Sequence, residues 1–130
     1  MVFLGINDWG NGVQVLPQNE NEKGDLSIFS VAYCEMLKKL RKNYPKAEIW
    51  CFTLPISTCT KKETFRYPYR YGGTHVGEYC AAIHTCAKEY DCRVIDLFSY
   101  EIPYDTIDGF HPNKTGMKTL ADAVISKLFE

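Results

Sequence analysis

The sequence predicts a parallel α/β domain, on three observations. Residues 2–6 are an apolar run with no in-and-out alternation, two later apolar runs end at Pro or polar loops, and amphipathic helical stretches separate all three. A strand covered on both faces reads as a continuous apolar run. Strands alternating with helices are the pattern of a parallel sheet with helical crossovers.

Val-Phe-Leu-Gly-Ile at residues 2–6 is the first expected strand, ended by Asn7-Asp8-Trp9-Gly10. Residues 10–25, rich in Gly, Asn, Gln and Glu, are expected as loop. From 26 to 44, Phe29, Ala32, Tyr33, Met36, Leu37 and Leu40 recur at three- and four-residue steps. Glu35, Lys38, Lys39 and Arg41 occupy the other face, and Pro45 stops the helix. Residues 48–54 are the second strand, closed by Pro55, and a long loop follows over 56–73. Its middle, from Phe65 to Tyr71, interleaves aromatics with Pro and Arg. The second helix spans 74–90 with Val76, Tyr79, Cys80, Ile83, Cys86, Ala87 and Tyr90 inward. Residues 93–97 are the third strand, and Asn113 caps a last helix with Met117, Leu120, Ala121, Val124, Ile125 and Leu128 on its core face.

Right-handed crossovers place the first two helices on one face of such a sheet and leave the last helix for the other. The opening strand is then coded as a central strand with nothing before it to lie alongside. A fully apolar edge is a liability that stable proteins avoid. The expectation is that the chain lacks its natural N-terminal portion or takes the missing neighbours from another chain, as a homo-oligomer would supply them.

At 130 residues the chain is expected to be one domain with a real core. A net charge of −1 gives no electrostatic case for nucleic acid or an anionic membrane surface. No apolar run approaches the roughly 20 residues of a membrane span, and no signal sequence opens the chain, which at face value says cytoplasmic. Among the six cysteines there is no C-x-x-C pair, so neither a zinc ribbon nor a thioredoxin-like motif is indicated. Cys34, Cys51 and Cys86 fall among apolar residues, where a free cysteine acts as a small hydrophobe. Cys80 and His84, one helical turn apart, have no further ligand obviously placed to join them on a metal. A reduced compartment is the more economical reading, with disulfides not excluded.

Asp108-Gly109-Phe110-His111-Pro112-Asn113 places an acid three residues before a histidine in a tight turn. There the carboxylate reaches one ring nitrogen, fixes the tautomer and leaves the other nitrogen to accept a proton. An ordinary turn followed by an N-cap explains the same residues. In open α/β sheets the ligand site lies beyond the carboxyl ends of the strands. Asn7 and Asp8 after the first strand and Asp108 and His111 after the third therefore share one rim.

Gly5-Ile6-Asn7-Asp8 resembles the G-x-N-D block of the SGNH, or GDSL-type, hydrolases, and Asp108 to Asn113 resembles their D-x-x-H-P block. Tyr44-Pro45 and Ile49, at the entry to the middle strand, and Val94-Ile95-Asp96-Leu97 also sit as that family has them. The resemblance implies the three-layer, flavodoxin-like fold of those hydrolases, truncated to about three parallel strands. It implies that Asn7 donates its side-chain amide to an oxyanion while Gly5 shapes the strand end. It further implies that His111 is the general base and Asp108 its orienting acid, in ester hydrolysis through an acyl-enzyme that needs no cofactor or metal. The implied partner is a small ester, with a short acyl or carbohydrate group. Trp9 and the Phe65–Tyr71 stretch either line its pocket or pack down on the surface.

The family's Gly-Asp-Ser block and its second oxyanion block are absent, and Ser27, Ser30, Ser57, Ser99 and Ser126 have no such context. The isolated chain is therefore expected to show no appreciable esterase activity. The alternative is a non-catalytic binding or assembly module derived from such a hydrolase. A flavodoxin-like response or nucleotide domain fares worst, since no Gly-rich phosphate loop follows the first strand.

Overall fold

Cys51 is bridged on both sides, to Val2 and to Val94, and both of these pairings are parallel. The computed structural model that shows this describes residues 1–55, 72–108 and 111–130. β1 (Trp50–Phe52) pairs with β2 (Arg93–Ile95) in the register Trp50 to Arg93, Cys51 to Val94 and Phe52 to Ile95. On the opposite side of β1, Val2 donates its N–H to the Trp50 carbonyl at 2.7 Å and accepts from the Phe52 N–H at 3.0 Å. The three extended segments thus lie side by side in chain order, as expected of the parallel α/β fold.

The first segment is shorter than expected. Gly5 turns the chain with φ 120°, and a short helix, α1 (Ile6–Gly10), begins where the strand was expected to run on. A side chain at position 5 would adopt a backbone conformation that L residues disfavour. Its Cβ would also stand 3.1 Å from the Phe29 ring.

Two longer helices cover one face of the sheet. α2 (Phe29–Asn43) has no side-chain cap, and its first N–H groups are met by the loop before it. Phe29 N–H bonds to Gln14 O at 2.9 Å and Ser30 N–H to Val15 O at 3.0 Å. α3 (Val76–Glu89) is capped by His75, whose Nδ1 accepts from Gly77 N–H. Arg41 near the end of α2 donates to the carbonyls of Tyr90 and Asp91 just past α3, tying the two helix ends together. Leu37, Tyr79, Ile83 and Cys51 meet in the core between these helices and the sheet.

Strand alternation sends Phe52 and Ile95 to the opposite face. There they pack with Leu97, Val124 and Leu128, the last two from α4 (Lys114–Leu128). The inward face expected of α4 is only partly covered: Leu120 is buried, but Met117 and Ile125 are 58% and 52% exposed. Phe3, ring to ring with Phe52 at 5.7 Å, is 53% exposed beside them.

The cysteines depart from the expectation of free thiols. Cys34 of α2 and Cys86 of α3 form a disulfide, with Cα atoms 5.0 Å apart. Such bonds belong as a rule to oxidising compartments, so the reduced reading does not hold for this pair. Cys51, Cys80 and Cys92 are free. Among the described residues no helix is long and apolar enough to cross a membrane.

Candidate active site

The start of α4 builds the acid–histidine turn. Asn113 caps the helix by accepting from Gly116 N–H at 2.9 Å, as its position in the sequence predicts. Its own N–H donates to Asp105 O at 3.0 Å, and Ile107 N–H donates to His111 O at 2.8 Å. With Thr106 and Pro112 bridged in antiparallel sense, these bonds close a narrow hairpin over the first turn of α4. Near its tip one carboxylate serves the histidine twice. Asp108 Oδ1 accepts from the His111 backbone N–H at 2.7 Å, and Oδ2 lies 2.6 Å from His111 Nδ1. The side chains are 42% and 64% exposed, so the pair faces solvent. Gly109 and Phe110 lie outside the described residues.

Gly5 and Asn7 lie at the end of the first segment. Asn7 is exposed in the first turn of α1, and its carbonyl accepts from the N–H and the side-chain amide of Asn11. Asp8 is half-buried, with its carbonyl accepting from Val13 N–H at 3.0 Å. Trp9, expected beside the oxyanion donor, has its side chain fully buried among the core residues. Two residues beyond Asn7 on a helical turn point to different sides, so Trp9 enters the core while Asn7 stays outside.

A cavity of about 410 Å³ joins the two regions. Its walls include Leu4, Ile6, Leu54, Tyr104 and Met117, and among the described residues His111 and the Tyr104 phenol are its titratable side chains. Ile6, next to Asn7, and His111 thus border the same apolar space. Asn7, Gly5 and Asp108 are not part of the lining. A second opening of about 550 Å³ lies over the disulfide between α2 and α3, and none of the candidate residues borders it. The aromatic stretch Phe65–Tyr71 lies outside the described residues.

One polar network escaped the sequence reading. Asp96, just past β2, accepts from Ser99 Oγ at 2.6 Å, Thr53 Oγ1 at 2.8 Å and Ser99 N–H at 3.2 Å, with His84 Nε2 at 3.1 Å. Thr53, fully buried just past β1, takes the Phe98 N–H at 2.9 Å. This knot fixes the root of the loop that leads to Asp108. Partial burial pushes the Asp96 carboxyl up, but the bonds from Ser99, Thr53 and His84 outweigh it and hold the group below its ordinary value. Polar residues ending two apolar strands were visible; their pairing with His84 across α3 was not. His84 is therefore engaged with Asp96, while Cys80 is buried with its thiol pushed up to about 11 by burial. Among the described residues no cluster of three metal-ligating side chains occurs.

The model of the GDSL-like lipase/acylhydrolase family matches residues 1–119. No curated protein matches the sequence. Among solved structures, one crystal structure superposes with a TM-score of 0.74 at 23% identity, over 98% of this chain and 62% of its own. A protein from Lactobacillus plantarum superposes with a TM-score of 0.75 at 21% identity, over 97% of this chain and 64% of its own. A structure described as a possible lipase from Chitinophaga pinensis gives 0.65 at 18%, over 98% of this chain and 71% of its own. Likeness at these identities is a likeness of fold. The chain spans less than two thirds of the length of the first two structures.

Proposed function

The chain belongs to the GDSL-like lipase/acylhydrolase family, and on that premise we propose that it carries the base and oxyanion parts of a serine ester hydrolase. The observation that carries this reading is the double contact of Asp108 with His111, at 2.7 and 2.6 Å, beside an apolar cavity. With Nδ1–H donating to Asp108, Nε2 is the basic nitrogen. A serine Oγ attacks the ester carbonyl and its proton passes to Nε2. The Asn7 side-chain amide donates to the resulting oxyanion, and the imidazolium returns the proton to the leaving alkoxide. Water then attacks the acyl-enzyme by the same route, freeing the acid and the serine. No step calls for a cofactor. The apolar lining favours the acyl side of an ester over a sugar, which would need donors and acceptors along the wall.

The attacking hydroxyl belongs to a Gly-Asp-Ser segment that is not in this sequence. Ser27 and Ser99 have their hydroxyls on Asp25 and Asp96, and Ser57 lies outside the described residues. On this reading the 130-residue chain by itself shows no appreciable ester hydrolysis. The test compares p-nitrophenyl acetate hydrolysis by the chain with that by a fusion adding a strand and Gly-Asp-Ser segment from a family member, each with a His111→Ala control. The expected result is activity in the fusion alone, lost with His111. A bare chain active well above its control ends the claim of inactivity, and a fusion indifferent to His111→Ala ends the role of the histidine.

A second reading, a non-catalytic assembly module, is favoured by the apolar exposure of Phe3, Leu4 and Met117 around the same cavity. It calls for a dimer in sedimentation and a fusion that fluorophosphonate probes do not label. A monomer, or a labelled fusion, decides against it.

A further inference from the structure

Resting on the role proposed for His111, we infer that Gly116 is a positioning residue for the Asp108–His111 pair. Gly116 is buried in the first turn of α4, where the backbone of Asp105 crosses it. A methyl group on its Cα would fall on the Asp105 carbonyl oxygen, and would lie 3.0 Å from the carbonyl carbon and 3.2 Å from the amide nitrogen. These are main-chain atoms and cannot swing aside as the tip of a side chain can.

Asn113 ties the same peptide to the start of the helix. Asp105 O accepts from Asn113 N–H at 3.0 Å, and Asn113 Oδ1 accepts from Gly116 N–H at 2.9 Å. Asp105, Asn113 and Gly116 therefore form one junction, and the hairpin that carries Asp108 stands on it. Asp108 follows Asp105 by three residues, whereas His111 precedes the helix cap by two. Lifting Asp105 off the helix moves the acid while the histidine stays with α4. A one-sided displacement of that kind breaks the 2.6 Å contact between them.

Backbone conformation does not call for glycine here, because the positive-φ glycines of the described residues are Gly5, Gly12 and Gly73. Helix propensity argues against it, since alanine is the better helix former. Space for the Asp105 peptide is what remains.

The test is 15N and 1H NMR of the His111 imidazole in the full 130-residue chain, without substrate. The native chain is expected to show a slowly exchanging Nδ1–H and one dominant tautomer. In Gly116→Ala that proton signal is lost and both tautomers appear, while far-UV helicity is kept or raised and Gly24→Ala, with open space around it, behaves as the native chain. A folded Gly116→Ala with the native imidazole spectrum overturns the inference. If Gly116→Ala does not fold, Asn113→Ala and Asn113→Ser take its place. Loss of the signal in the first and its return in the second support the junction; a native spectrum in Asn113→Ala overturns it. The spectrum is independent of turnover, so an inactive fusion with a responsive imidazole removes the hydrolase reading and not the positioning role.

Discussion

Asp108 binds His111 through both carboxylate oxygens, one on the backbone N–H at 2.7 Å and one on the ring Nδ1 at 2.6 Å. Exposed pairs of this kind add little stability, because solvent screens them. Their consequence is orientation: the backbone bond fixes the turn and the ring bond fixes the tautomer. Asp108→Asn is expected to leave the thermal midpoint of the chain nearly unchanged. In a fusion carrying the serine segment, the same change lowers kcat by roughly 10³–10⁴ with KM little altered, as loss of an orienting acid does in a triad. Steady-state kinetics on the fusion decide this, and an unchanged kcat shows that the carboxylate only shapes the turn.

Much of the fold was legible because period and punctuation agreed. The apolar steps of Phe29, Tyr33, Leu37 and Leu40, with Pro45 beyond them, mark α2 to within a few residues of its observed ends. Asn113 was visible as a cap and is one. Three features were not legible, each for a physical reason. Pattern alone does not reveal a positive φ, so the turn at Gly5 that hands the chain to α1 was read as more strand. The apolar stripe of α4 marks a face that wants cover, and the described sheet of two short strands and one bridge does not cover Met117 or Ile125. Cys34 and Cys86 both fall among apolar residues, but only tertiary packing brings their Cα atoms to 5.0 Å. In the site, the acid–histidine turn is local and could be read from its spacing, whereas Asp96 meets His84 and Thr53 only after folding.

The disulfide gives a second expectation. It joins residues separated by 52 positions, and in the chain-entropy model closing such a loop in the unfolded state contributes about 4 kcal/mol. It also holds α2 against α3, the pair of helices that covers one face of the sheet. Protein purified without reductant is expected to yield no label at Cys34 or Cys86 after unfolding and alkylation. Reduction, or Cys34→Ser, is expected to lower the urea midpoint substantially while the far-UV spectrum at zero urea stays native. Full labelling of both thiols in unreduced protein rejects the pairing.

Asp96 sets a third expectation, in its response to pH. Its folded carboxyl is held below the ordinary value near 3.9, because the donors around it more than offset partial burial. The unfolded chain therefore binds this proton more readily than the folded chain does. By linkage, the stabilisation from Asp96 is fully present well above pH 4 and is lost as pH falls through 4 toward the depressed folded value. Asn lacks the charge at every pH, so it imitates the protonated acid. Asp96→Asn is accordingly expected to be less stable than the native chain at pH 7, and the difference in urea midpoint should shrink progressively as pH falls below 4. Other carboxylates titrate in the same range, but they do so in both proteins and cancel in the difference. A gap that stays constant from pH 7 to 2.5 would mean that Asp96 stabilises the root of the loop by shape and hydrogen bonding alone, without its charge.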